Sequence, residues 1–236
     1  MIFDWGGTLT PWHTVDLIAQ WQVYAEHYTR DHADFPDGGA DLAARMLVAE
    51  RESWDRLKRE GTSARLADVF AAVGISTDHP GHPAAQSAYE EFWEPHTYID
   101  PDVPVLFTAL RERGVRVGVL SNTIWSRDYH RRVFERDGIL PLIDGDVYTS
   151  EIPWVKPHPE AFGAAMSAVG MSDPARCVYV GDRLFDDVWG AQNAGLRAIH
   201  VPHSDIPPTQ VGHSEGTPDA VVHRLSEIAD VVAGWA

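Results

Sequence analysis

Apolar and polar residues follow two different periods along the chain, and the change between them divides the sequence. From Thr14 to about His32, the residues Leu17, Trp21, Tyr24 and Tyr28 recur at the spacing of one helix face, and the turn-forming run DFPDGG closes the segment. A second helix is predicted from Asp41 to Glu60, with Leu42, Met46, Ala49 and Leu57 on one side and Gly61 as its stop. Two shorter helices follow: Ser63 is expected to cap ARLADVFAAVG, and PAAQSAYEEFWE carries Pro83 in its first turn, where a missing N–H costs nothing. After PHTYIDPDVP the texture changes. VLFTALRERG reads as helix, VRVGVLSNT as a buried strand, and GDVYTSE, CVYVGD, LRAIHVP and DAVV as further strands with helical stretches between them.

Strands that alternate with helices pair in parallel through crossover connections, which predicts an α/β fold with its chemistry at the carboxyl ends of the strands. The stretch from about residue 13 to residue 99 has no strand signal and reads as an insertion between the first strand and the rest. SDIPPTQVGHSEGTPD reads as an exposed loop. Only Met1, Ile2 and Phe3 precede Asp4, against a mean strand of about 5–6 residues. The first strand is therefore expected to be short, or the natural start to lie upstream.

Composition narrows the function classes. At 236 residues and 44% apolar content, the chain suits one large domain or a core with a modest insertion. With 35 acidic against 19 basic residues the formal charge is −16, so a phosphate-backbone partner is repelled and no nucleic acid is expected. No window reaches the roughly 18 apolar residues of a membrane span, and the N-terminus lacks a secretory pattern. The single Cys177 reads as a small buried thiol. These features lead us to expect a soluble cytoplasmic protein, monomer or homodimer. Lysine occurs only at positions 58 and 156, and the other seventeen basic residues are arginine.

The candidate chemistry sits where apolar runs end. Asp4 follows MIF, Ser121 follows VGVL, Asp182 follows VYVG, and Lys156 stands in PWVKPHP after the strand around Tyr148. Four successive strand ends bearing a carboxylate, a hydroxyl, an ammonium and a paired-carboxylate group suit one site for an anion and a divalent cation. Phosphoryl transfer needs an in-line nucleophile, positive charge around the equatorial oxygens and a metal. Asp4 fits the nucleophile. GDRLFDD supplies Asp182, Asp186 and Asp187, an all-oxygen set of the kind Mg²⁺ takes. Lys156 balances charge, and Ser121 with neighbouring groups, Asn122 and Thr8 among them, holds phosphate oxygens. Taken singly, each residue has a plainer reading as turn former, helix cap or solvated lysine. Their order sets them apart.

These motifs resemble the haloacid dehalogenase superfamily of hydrolases: a strand followed by Asp-x-Asp-Gly-Thr, a strand ending in Ser or Thr, a Lys before Pro, and a strand ending Gly-Asp with a second Asp soon after. Here they stand as FDWGGTL, VGVLSNT, WVKPHPEAF and VYVGDRLFDDVWGAQNAG. The resemblance implies a three-layer α/β/α Rossmann-like core with a central parallel sheet, formed by residues 1–12 and 100–236, and a helical cap at residues 13–99. It further implies Asp4 as nucleophile, Ser121 on phosphate, Lys156 steadying both, and Mg²⁺ held by Asp4, the Gly6 carbonyl, Asp182 and Asp187, with Asp186 a weaker candidate.

The sequence departs from the pattern at Gly6, where the family's phosphatases carry the acid that protonates the leaving group and later activates water. Loss of such a group costs about 10²–10⁴ in rate. Three readings follow. One is a Mg²⁺-dependent phosphohydrolase of a small phosphorylated metabolite, with water, a reactive leaving group or an insertion residue such as Glu50, Glu52 or His13 in the acid's place. The second is carbon-centred hydrolysis. Dehalogenase branches typically lose the metal carboxylates that GDRLFDD keeps, whereas phosphonoacetaldehyde hydrolases share a small residue at this position and use a cap lysine, for which Lys58 is available. The third is a catalytically impaired relative that binds a phosphorylated ligand or a partner. Arg45, Arg51, Arg56, Lys58, Arg59 and Arg65 in the insertion are candidate anion contacts, with a plainer reading as surface residues. Trp5 and Trp12 are candidate pocket walls, and Trp125, Arg127 and His130 are placed near the entrance.

Overall fold

A computed structural model describes residues 1–30, 39–202 and 216–235. Its centre is a six-stranded, wholly parallel sheet in the order β3-β2-β1-β4-β5-β6, with β1 at Ile2–Phe3, β2 at Gly118–Ser121, β3 at Gly145–Tyr148, β4 at Val178–Gly181, β5 at Arg197–His200 and β6 at Ala220–Val221. All six expected strands form, and the first has two residues. Ile2 pairs with Gly118 on one side and Tyr179 on the other, and Phe3 with Val119 and Val180. The strand order reverses between β1 and β4, which makes their carboxyl ends the natural crevice of an open parallel sheet.

Among the described residues, four helices lie in the stretch from residue 13 to residue 99: α1 (Leu17–Thr29), α2 (Ala40–Glu60), α3 (Leu66–Ala72) and α4 (His82–Trp93). They form a body with its own aromatic core. Trp21 packs on Tyr89 with centroids 4.9 Å apart, and Tyr24 stacks on Phe70 at 5.2 Å. Asp16 caps α1 by accepting from the amides of Ile18 and Ala19. The expected Ser63 cap does not form: α3 begins after Arg65, and the Ser63 hydroxyl donates to the Thr149 carbonyl at 2.6 Å, tying the helical body to the sheet. Parts of the expected DFPDGG turn and of the SDIPPTQVGHSEGTPD loop lie outside the described residues.

Of the remaining helices, α5 (Val103–Glu112), α6 (Arg127–Arg136), α7 (Pro159–Ala168) and α8 (Gly190–Asn193) lie in the crossovers, and α9 (Ile228–Ala233) follows the last strand. Buried side chains form two clusters. The larger contains Phe3, Phe107, Val119, Phe134, Val180 and Ile199 and continues into the helical body; the smaller contains Ile2, Leu120, Phe162, Tyr179 and Val188. Adjacent strand residues enter different clusters because strand side chains alternate across the sheet. This is a helix–sheet–helix sandwich. Among the described residues, no helix is long and apolar enough to cross a membrane.

Candidate active site

Asp4 is the first residue past β1, and its amide donates to the Val180 carbonyl at 2.9 Å, which fixes the carboxylate beside the end of β4. The chain then turns sharply. Leu9 and Thr10 amides both donate to the Trp5 carbonyl, and Gly7 adopts φ +86°. Glycine is needed there, because a Cβ would stand 2.5 Å from an Asp182 oxygen. Gly6 is the opposite case, with φ outside the left-handed region and nothing within 4 Å of an added Cβ.

Lys156 arrives from the loop after β3 and spends all three ammonium donors inside the site. Its Nζ lies 2.6 Å from Asp187 Oδ1, 2.9 Å from Asp4 Oδ1 and 2.9 Å from the Tyr179 hydroxyl, which in turn donates to the Leu120 carbonyl. Asn122 clamps the lysine's main chain from both sides, its Oδ1 accepting from Lys156 N and its Nδ2 donating to Lys156 O. Both ends of the Asn122 amide, expected on substrate, engage the Lys156 main chain in this structure. Ser121 ends β2 and is buried beside β1. Thr8 is fully buried, and its hydroxyl has no partner among the described residues.

The structure brings Asp4, Asp182 and Asp187 together, with one oxygen of each within 4.8 Å of the others. Asp187 nevertheless differs from the other two. Its Oδ1 takes the Lys156 ammonium and its Oδ2 takes the Arg183 amide at 2.8 Å, so both oxygens have protein donors. Gly181 makes this possible, since a Cβ there would fall 2.3 Å from the Asp187 carboxylate. Asp186 is half-buried one residue before it.

Electrostatics follow from three buried carboxylates facing the Lys156 ammonium and the Arg183 guanidinium, whose Nε lies 3.6 Å from Asp182 Oδ2. Burial disfavours the lysine's charge, but Asp187 and Asp4 outweigh it and hold Lys156 well above its ordinary pKa. Burial pushes Asp4 up to about 6, Lys156 opposes the shift, and Asp187 adds to it. A divalent cation would offset the surplus negative charge, and the all-oxygen donor set matches a hard ion such as Mg²⁺. The residues present fit that ion.

Several expected residues stand elsewhere. Glu50 is buried within the helical body, accepting from Trp21 Nε1 at 2.8 Å; Glu52 is exposed, and His13 pairs with His96. Trp12 carries the Arg183 guanidinium 4.9 Å over its ring. Trp125 lies between Trp5 and Tyr89, Arg127 is engaged by Glu151 and Asp146, and His130 is a buried ring stacked on Tyr148. Burial lowers the His130 pKa to about 4, which keeps the ring neutral. Arg45, Arg51, Arg56, Arg59 and Arg65 are exposed, with Arg45 bonded to Asp41 and Arg65 to the Ser150 carbonyl. Lys58 is in α2, and its side chain lies outside the described residues. Sequence reasoning missed Tyr179. Its signal was a phenol in the middle of a fully buried strand, where a hydroxyl must find a partner.

Residues 1–195 match the family described as haloacid dehalogenase-like hydrolase. A glyceraldehyde 3-phosphate phosphatase of Methanopyrus kandleri is 30% identical over 132 residues, covering 56% of this chain and 55% of that protein. The chain thus spans about half the length of that curated relative. A human phospholysine phosphohistidine inorganic pyrophosphate phosphatase is 36% identical over 77 residues, 33% of this chain and 28% of its own. Among solved structures, a phosphatase from Thermococcus onnurineus superposes over 99% of this chain and 97% of its own with TM-score 0.67 at 22% identity. The L-2-haloacid dehalogenase of Xanthobacter autotrophicus covers 100% and 98% with TM-score 0.61 at 19% identity. At these identities the likeness speaks for the fold.

Proposed function

Since the chain belongs to the haloacid dehalogenase-like hydrolase family, we propose that it is a Mg²⁺-dependent phosphohydrolase of a small phosphorylated metabolite, with Asp4 as its nucleophile. One observation supports the reading: the buried Asp4 carboxylate is oriented by Lys156 and stands beside Asp182 in a cluster able to hold a cation. The phosphatase names of the curated relatives agree with it.

In this reading Asp4, the Gly6 carbonyl, Asp182 and Asp187 would hold Mg²⁺, which would supply Lewis-acid neutralisation of the phosphate charge. Asp187 and Tyr179 fix Lys156, and Asn122 fixes the backbone that carries it. Ser121 and the Thr8 hydroxyl receive phosphate oxygens. The Asp4 carboxylate attacks phosphorus, the bond from phosphorus to the leaving oxygen breaks, and an aspartyl-phosphate forms. A water then attacks that phosphorus, returning Asp4 and releasing phosphate. No acid stands at position 6, so the leaving oxygen takes its proton from solvent. The space beside Gly6 suits water in that role, and substrates with acidic leaving groups, such as acyl or aryl phosphates, are favoured. Residues 13–99 form the cap over a core made of 1–12 and 100–236.

Phosphate release from a panel of acyl, aryl and alkyl phosphates, with and without Mg²⁺, tests this. Activity on the acidic leaving groups that vanishes in Asp4→Asn supports it. Binding of phosphate without turnover on any substrate would favour the impaired-relative reading.

A further inference from the structure

Two segments join the helical body to the sheet: residues 10–16 before α1 and residues 94–102 between α4 and α5. They are stitched at two levels. Near the sheet, the Asp100 amide donates to the Leu9 carbonyl at 2.8 Å. Nearer the helices, His13 and His96 meet Nδ1 to Nδ1 at 2.9 Å, with ring centroids 5.1 Å apart and planes at 83°. This side-chain bond crosses from one segment to the other.

Such a contact needs an N–H on one ring and a lone pair on the other. It therefore survives while at least one imidazole is neutral. When both rings are protonated, each Nδ1 carries hydrogen, the bond is lost and two like charges face each other. The surroundings do not offset that repulsion. Trp93 packs edge-on to His96 at 6.1 Å. Glu94, two residues before His96, is engaged by the Tyr98 hydroxyl. On α6 and just after it, Arg136 bonds Thr97 and lies over Tyr98, while Asp137 pairs with Arg136 and accepts from the Ile99 amide. On the first segment, Asp16 caps α1 and Trp12 carries Arg183. Neither imidazole is in an ion pair with any of these groups. Partial burial, followed by the neighbouring His13, lowers the His96 pKa, in keeping with a pair that resists its second proton.

We propose that the His13–His96 contact is a proton-sensitive latch on the two segments that carry the helical body: closed while one ring stays neutral, and released on acidification when both become imidazolium. Release loosens the two connecting segments, while the bonds from Ser63 to Thr149, Arg65 to Ser150 and Leu66 to Ile124 still hold the helical body on the core. The latch concerns hinge geometry and does not depend on the reaction assigned to Asp4.

Amide hydrogen exchange of the whole chain, read at pH 7.5 and pH 5 and corrected for intrinsic exchange, tests it. In the natural protein, peptides covering 10–16 and 94–102 should lose protection at pH 5 by about fivefold, the scale of one lost hydrogen bond, while β2 and β4 peptides stay protected. His13→Asn should show the loosened hinge already at pH 7.5 with little further change. The double variant His13→Phe/His96→Phe, which keeps edge-on ring packing without protons, should stay protected at both values. Two results overturn the proposal: hinge protection that does not change with pH in the natural protein, or the same acid-induced loss in the double phenylalanine variant.

Discussion

At the scale of single residues, the site is defined by one departure from its family's pattern and by one lysine. The glycine at position 6 leaves room that an aspartate can fill without backbone strain, since an added Cβ meets nothing within 4 Å. Gly6→Asp is therefore predicted to raise phosphatase activity on poor leaving groups by about 10²–10⁴, read as kcat on an alkyl phosphate; an unchanged rate means the site has no use for an acid there. Asp4 makes a prediction about pH. Its folded-state pKa of about 6 lies above the ordinary carboxylate value, so the metal-free folded protein holds an extra proton between about pH 4 and pH 6. Stability then falls as pH rises through that window, by up to about 3 kcal/mol. Asp4→Asn should flatten this part of the stability curve and raise the metal-free melting temperature at pH 7, as calorimetry can show. Tyr179 ties Lys156 to the Leu120 carbonyl, and Tyr179→Phe removes both bonds in a fully buried setting. A loss of about 1–3 kcal/mol in denaturant stability is expected.

At the scale of elements, close approaches decide what each strand end can present. Gly181 lets the chain after β4 fold the Asp187 carboxylate back against the strand, at a distance where a Cβ would collide. Gly181→Ala is predicted to displace Asp187 from Lys156 and to cut activity at least about tenfold, an effect of roughly 1.4 kcal/mol, with the sheet still formed by circular dichroism. Much of this arrangement was legible in the chain. Periodicity separates the helical body from the alternating strands, and the run of strand ends gives Asp4, Ser121, Lys156 and Asp182 with no structure needed. What could not be read was set by long-range contact. Asn122 looks like a ligand to phosphate because it follows Ser121, yet its partner is the main chain of a residue 34 positions on. Ser63 has the chemistry of a helix cap, but the Thr149 carbonyl across the interface takes its hydroxyl. Asp187 has the chemistry of a metal ligand and lies in the carboxylate cluster, and only the fold shows that it also bonds Lys156.

At the scale of the whole molecule, the strand order brings the ends of β1 and β4 together at the reversal of the sheet, and the helical body is connected to the core through two segments that leave and return nearby. The cluster at that reversal carries three carboxylates against one ammonium and one guanidinium, so occupancy by a cation should stabilise the entire fold. The most direct measurement of the central claim is release of phosphate from an acyl phosphate by the natural protein and by Asp4→Asn, each with Mg²⁺ and with chelator. Turnover only by the natural protein with Mg²⁺ is the predicted result. Equal turnover by Asp4→Asn, or turnover indifferent to chelator, would contradict the assignment of Asp4 and its metal.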